Sequence, residues 1–305
     1  MKEVVITGVN GFIGSALAKK LLLSGIKVYG VDIQTDKFEQ FEKYDSFVPI
    51  YADFSKYTEL KNLIPKNEVD VFYHFAWAGG FTSAIRDYKL QLSNAGYAGD
   101  ALMAAHDLGA KKYVYANTYN QYEIQNFLCS ETFEPRYTCI YSAGKTAASL
   151  VCRTLAYNLG LDYCAGLIPM PYGKNNYSMQ LVNIVIRRLL DGESPKLVEG
   201  NNLYDLVYIE DIADAFIALG EKGISNKEYY IGHRTLKTFK ELMMEIRDYI
   251  SPNTPLGFGE YQDNQQIDYN TINLNALYED TGFECKADFK KTIIETAEWI
   301  KENIK

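Results

Sequence analysis

Tyr141 and Lys145, four residues apart, are the pair in this chain best suited to moving a proton at neutral pH. An i, i+4 spacing sets both side chains on one face of a helix. A free tyrosine titrates near pH 10, too high for a base at neutral pH, but a neighbouring ammonium favours its phenolate. Such a tyrosine can take a proton from a substrate hydroxyl as hydride leaves the same carbon, or return one in reduction. Lys145 could also hold the ribose of a nicotinamide. Thr118, just beyond the strand-like residues 113–116, is placed to bond the same substrate oxygen; a structural threonine at a strand end is the alternative. In a chain with 25 tyrosines, Tyr-x-x-x-Lys is common chance text and takes its meaning from its surroundings.

Hydride chemistry needs a dinucleotide, and the N-terminus supplies a cradle for one. Residues 3–7 (EVVIT) read as a buried strand running into Thr7-Gly8-Val9-Asn10-Gly11-Phe12-Ile13-Gly14. Gly8 allows the tight turn, Gly11 lets the backbone approach a pyrophosphate, and Gly14 lets the helix pack on the sheet. That helix aims its free amides and positive dipole end at the phosphates. Asp32 ends the second strand, where an acid accepts hydrogen bonds from the adenosine ribose hydroxyls and repels a 2′-phosphate. This favours NAD over NADP; a solvent-facing loop acid is the other reading. Asp53, with Phe54 behind it, follows the third strand, within reach of an adenine amino group.

These residues need a scaffold, and the pattern around them provides one. Short apolar runs at 3–7, 27–31, 47–51, 71–75, 113–116 and 162–168 alternate with helical stretches near 12–24, 56–64, 84–108 and 142–159. Strands alternating with helices predict right-handed crossovers and a parallel sheet covered on both faces. The text changes after Pro169, with one helix near 179–191, core-like text at 206–232, and a mixed tail ending in an amphipathic helix near 291–303. The reading is one α/β unit of residues 1–168 with 206–232, and a smaller lobe of 169–205 with 233–305.

Composition removes other classes. The 305 residues carry a net charge of −8, a poor match for nucleic acid. Five cysteines and three histidines stand at no metal-ligand spacing, so no metal site is expected. The scattered thiols fit a reducing compartment. No apolar run approaches the length of a membrane span and no signal sequence is visible, so the cytoplasm is the expected location and no membrane partner is implied.

The set TGVNGFIG (7–14), Asp32, Asp53, HFAWAG (74–79), Asn94, Thr118, Tyr141 to Lys145, PYG (171–173) and LVYIEDIADA (206–215) resembles the extended short-chain dehydrogenase/reductase superfamily, in its nucleotide-sugar epimerase/dehydratase branch. The resemblance implies a Rossmann-type doubly wound parallel sheet that binds NAD, and a mixed α/β C-terminal lobe that grips a nucleotide sugar. It places Thr118, Tyr141 and Lys145 at catalytic positions, Phe75, Ala76 and Trp77 along the cofactor, and a homodimer contact on the helices near 84–108 and 142–159.

The chain departs from that family's pattern in telling places. Family dehydratases resemble Thr-Asp-Glu where Thr118-Tyr119-Asn120 stands, so dehydration and decarboxylation lose their acids. Met170 replaces a sugar-nucleotide asparagine, and Tyr204 replaces an arginine that meets the substrate diphosphate. Asn120, Tyr172 and Asn176 are weaker candidates for substrate contact, each equally readable as loop structure. His74 is read as a satisfied core histidine. The leading expectation is an NAD-dependent nucleotide-sugar epimerase acting at C4 through a transient keto sugar. The alternatives are a keto-sugar reductase or sugar dehydrogenase of the same family, and a non-catalytic NAD(H)-binding sensor.

Overall fold

The computed structural model describes residues 1–65, 69–80, 82–131, 134–263 and 267–304. The chain opens with β1 (Glu3–Thr7), α1 (Phe12–Leu23), β2 (Lys27–Asp32), β3 (Phe47–Tyr51) and β4 (Val71–His74). It continues through α2 (Tyr88–Asp107), β5 (Lys112–Thr118), α3 (Gln121–Cys129), α4 (Cys139–Leu159) and β6 (Asp162–Ile168). Next come β7 (Met170–Tyr172), α5 (Leu181–Leu190), β8 (Lys196–Leu197), β9 (Leu203–Tyr204), β10 (Leu206–Tyr208), α6 (Ile209–Lys222) and β11 (Lys227–Tyr230). The last elements are β12 (Lys237–Thr238), α7 (Phe239–Ile250), β13 (Gly257–Phe258), α8 (Ala276–Thr281) and α9 (Phe289–Asn303).

Seven strands form one sheet in the order β11-β6-β5-β4-β1-β2-β3, every pair parallel. Strand order reverses between β1 and β4, and ligands of doubly wound sheets sit in the crevice at that switch point. The strands read as continuous apolar text because both faces are covered. On one face α2 and α4 enclose a core with Phe72, Tyr113, Leu102 and Cys152. On the other, α1 and α6 enclose Ile6, Leu17, Phe216 and Leu219. A third core, with Val185, Ile186, Met243, Ile246 and Ile293, lies among α5, α7 and α9. Residues 206–208 leave the large sheet: β10 pairs with β7, while α6 and β11 return to it.

Several boundaries differ from the sequence expectation, each for a local reason. The helix expected near 56–64 is a 3₁₀ turn over Phe54–Asn62, started by Asp53 accepting the Ser55 amide. The helix expected from 84 begins at Tyr88, because the Asp87 side chain caps the Lys89 and Leu90 amides; a separate 3₁₀ turn covers Ser83–Arg86. The helix expected from 142 begins at Cys139 and stops at Gly160, whose φ of 68° ends the turn. The helix α3 was not expected from the sequence.

Candidate active site

The turn out of β1 follows the expected pattern closely. Gly8 has φ 72°, and a Cβ there would stand 2.8 Å from the Ala76 backbone nitrogen, so only glycine lets the β1 and β4 loops meet. A Cβ on Gly14 would lie 2.2 Å from the Gly8 carbonyl oxygen. Helix α1 is preceded by Gly11 as its N-cap, with no side-chain cap and no acid in its first turn. Its leading amides are therefore available to an anion, and the local dipole favours one. Asp32 stands beside this turn, accepting the Asn10 amide at 2.9 Å and the Gln34 amide at 3.0 Å. Asn10 closes the frame by donating from Nδ2 to the Gln34 carbonyl at 2.7 Å.

A cavity of about 250 Å³ runs from this turn to the catalytic candidates. Its walls include Gly11, Phe12, Ile13, Phe75, Trp77, Thr118, Tyr141 and Lys145. The loop after β7 adds Asn176, Ser178 and Gln180. The cavity thus brings together residues at or just past the carboxyl ends of β1, β4 and β5 and side chains from the start of α4, all at the carboxyl end of the sheet.

Thr118 ends β5 and its hydroxyl is hydrogen-bonded to Tyr141. It also accepts the Asn120 amide at 3.2 Å. Tyr141 and Lys145 lie on the buried face of the first turns of α4. The Lys145 ammonium donates to the Ala116 carbonyl at 2.9 Å and sits over the Trp77 ring, 4.0 Å from its centroid. Burial pushes the Tyr141 phenol above its ordinary value and pulls the Lys145 ammonium down to about 7. The expected help from Lys145 to the Tyr141 phenolate is not among the causes of either shift; burial is the largest cause for both groups.

The remaining candidates divide by what they touch. Asn94 clamps the Ala78 backbone, accepting its amide at 3.0 Å and donating to its carbonyl at 2.9 Å, which fixes the segment carrying Trp77. Asp53 is engaged by the Ser55 amide and hydroxyl, and those bonds hold its carboxyl below the usual range. Phe54 stacks on Tyr97 at 4.7 Å. The Tyr172 hydroxyl is buried against Thr292 at 2.6 Å, a bond within the C-terminal core. Met170 and Tyr204 pack at the edge of that core, Tyr204 edge-on to Phe239. Asn176 lines the cavity, yet its own side chain is taken by Ser178 and Gln180. His74 is buried, bonds Thr7 at 2.7 Å, and is held neutral, its pKa pulled down to about 3 by burial.

Sequence reasoning missed Gln91. It is fully buried, accepts the Trp77 indole N–H at 2.8 Å and donates to the Gly79 and Ala84 carbonyls at 3.2 and 3.0 Å. One polar residue in a helix gives no signal of this role before the loop it meets is known. Also missed was the pair Glu123 and Arg136, joined by two bonds of 2.7 and 2.8 Å.

Comparison with known proteins identifies the family. The model of the NAD dependent epimerase/dehydratase family matches residues 4–232. A UDP-glucose 4-epimerase of Mycolicibacterium smegmatis is 24% identical over 271 residues, covering 83% of this chain and 84% of that protein. A UDP-glucuronic acid 4-epimerase of Bacillus cereus, solved with UDP-glucuronic acid and NAD, superposes with a TM-score of 0.79 at 18% identity, covering 98% and 99% of the two chains. A dTDP-glucose 4,6-dehydratase of Streptomyces venezuelae, solved with NAD, gives 0.79 at 21% identity, covering 99% and 97%. The uncapped start of α1, the Asp32 frame and the shared cavity fit the NAD that the two solved structures hold. The chain is an NAD-dependent enzyme and belongs to the NAD dependent epimerase/dehydratase family.

Proposed function

We propose that this enzyme is a nucleotide-sugar 4-epimerase. One observation carries the reading: Thr118, Tyr141 and Lys145 share a cavity with the glycine turn, and no acid is among the described residues lining it. Dehydration needs an acid placed to expel water. Positions 119 and 120 hold Tyr and Asn, and the nearby Glu123 is fully buried and bound to Arg136. Proton and hydride transfer at one carbinol carbon need only the three residues present.

NAD, when bound, supplies the acceptor and donor of hydride. Thr118 holds the reacting oxygen beside Tyr141, and Tyr141 takes its proton as the carbon becomes a ketone. The Lys145 charge offsets the phenolate that the step requires. After the keto sugar turns its other face, Tyr141 returns the proton to the same oxygen. Hydride and proton both leave and both return, so the net change is inversion at one carbon. The sugar nucleotide would be gripped between the part formed by 1–168 with 206–232 and the lobe formed by 169–205 with 233–305.

Two assembly features complete the proposal. Helices α2 and α4 leave Leu92, Leu150, Val151 and Tyr157 exposed on the outside of the molecule, an apolar surface suited to a second copy. The five cysteines are unpaired, which suits the cytoplasm; no described helix is long and apolar enough to cross a membrane.

The test is direct. Purified protein is denatured, its released nucleotide identified, and the native enzyme offered a panel of UDP- and dTDP-sugars. Stoichiometric NAD with isomerised product and no net NADH supports the epimerase. Consumption of added NADH or NAD in step with one sugar would instead make it a keto-sugar reductase or a sugar dehydrogenase. Binding of NAD with no turnover of any sugar would favour the sensor reading.

A further inference from the structure

We propose that Trp77 is a positioning residue for this reaction: its indole face holds the Lys145 ammonium beside Tyr141 and keeps it charged, from a seat fixed by Gln91. The proposal rests on the reading of Tyr141 and Lys145 as the proton-handling pair.

The Lys145 ammonium is almost wholly buried, yet none of the described groups facing it is a carboxylate. From β5 come the Ala116 carbonyl at 2.9 Å and the Tyr115 ring at 5.0 Å. From β4 comes His74, held neutral by burial. From its own helix come Tyr141, whose phenol is pushed up, and Cys152, whose thiol is pushed up to about 12. Both are neutral near pH 7. From the segment after β4 comes Trp77, with its ring centroid 4.0 Å from Nζ. A buried cation without a counter-ion must find negative potential elsewhere, and the face of an indole is the strongest of the aromatic sources. The two ring faces and one carbonyl are therefore what oppose the loss of hydration.

The indole is not free to drift. Its N–H is held by Gln91 on α2, and Gln91 is anchored in turn by the Gly79 and Ala84 carbonyls. Gly144, the residue before Lys145, presses on the same point: a Cβ there would lie 2.7 Å from the Gln91 carbonyl oxygen. The close approach of α2 and α4 thus fixes both partners of the cation–π contact. The same indole meets Tyr141 edge-on, centroids 6.0 Å apart at 83°. One side chain therefore sets the position of both members of the pair.

The test follows the lysine itself rather than turnover. Protein labelled with carbon-13 at lysine Cε is titrated by NMR without substrate, with Lys145→Met identifying the resonance. Trp77→Leu is expected to lower the Lys145 midpoint by about one pH unit, a tenfold change in proton affinity, and Trp77→Phe by less. The alkaline limb of kcat is expected to move down with it. A midpoint in Trp77→Leu equal to that of the parent overturns the proposal. If the leucine variant does not fold, an unshifted midpoint in Trp77→Phe overturns it equally, because that change removes the Gln91 bond and weakens the ring. The titration needs no substrate, so its failure is separable from failure of the epimerase reading, which the sugar panel and Tyr141→Phe test.

Discussion

Lys145 is where burial and charge compete most openly in this molecule. Its ammonium is pulled from an ordinary value of 10.5 to about 7, so in the window between those values the unfolded chain holds more protons than the folded one. Stability attributable to this group therefore rises as pH climbs through that window, and below it a constant penalty remains. Lys145→Met is expected to be more stable than the parent at pH 7, by a few kcal/mol at most, and to lose that rise; urea unfolding at several pH values checks it. Tyr141→Phe keeps the ring but removes the proton, and turnover should fall by roughly 10²–10⁴-fold with NAD binding intact. Turnover equal to the parent's would withdraw the role from Tyr141. Both residues were legible in the sequence because i, i+4 spacing is a property of any helix. Their electrostatics were not, since the desolvation depends on Trp77, Tyr115 and Ala116, which are remote in sequence.

At the scale of elements, six strands of the large sheet were readable, whereas the short strands of the C-terminal part and the caps were not. Apolar runs such as EVVIT and DYCAGLI need only one rule, burial on both faces, to declare themselves. The start of α2 depends instead on whether Asp87 caps, and the 3₁₀ turn after β3 depends on Asp53. The helix α3 escaped because its sequence, QYEIQNFLC, owes its place to a tertiary contact. Glu123 within it is fully buried and accepts from Nε and Nη2 of Arg136, whose Nη1 donates to both carboxylate oxygens of Asp263 at 2.9 and 3.1 Å. This clamp ties α3, and Arg136 just ahead of α4, to Asp263 in the segment after β13. Removing the cation strands a buried carboxylate. Arg136→Met is expected to cost roughly 3–5 kcal/mol in denaturant unfolding, whereas Glu123→Leu combined with Arg136→Met should cost less. Equal losses would mean that packing rather than charge holds the clamp.

At the scale of the whole molecule, the parallel sheet and the glycine turn followed from alternation and spacing, whereas the strand order is known only from the fold. The substrate side was less legible. Tyr172 and Asn176 were each equally readable as contact or structure; Tyr172 bonds Thr292 in the C-terminal core and Asn176 bonds its own loop. Loops that close a cleft are shaped by the lobe they pack against, and no local pattern encodes that. The outer face of α2 and α4 is the remaining large-scale expectation. Leu150→Glu is expected to halve the mass seen in sedimentation while leaving the far-ultraviolet circular dichroism intact; a parent that is already monomeric would remove the dimer.

The chain has two tryptophans, and the fold separates them. Trp77 stands over Lys145 in the catalytic cavity, while Trp299 on α9 packs edge-on against Tyr177, 5.0 Å away, in the loop whose neighbours Asn176 and Ser178 line the cavity. The protein therefore carries its own pair of optical probes, one in the reacting cleft and one where the C-terminal helices meet the loop over it. With Trp299→Phe the tryptophan emission, excited at a wavelength tyrosine does not absorb, comes from the cleft alone, and with Trp77→Phe from the outer contact alone. Events at the dinucleotide and movements of the covering loop can thus be timed separately, without attaching a dye.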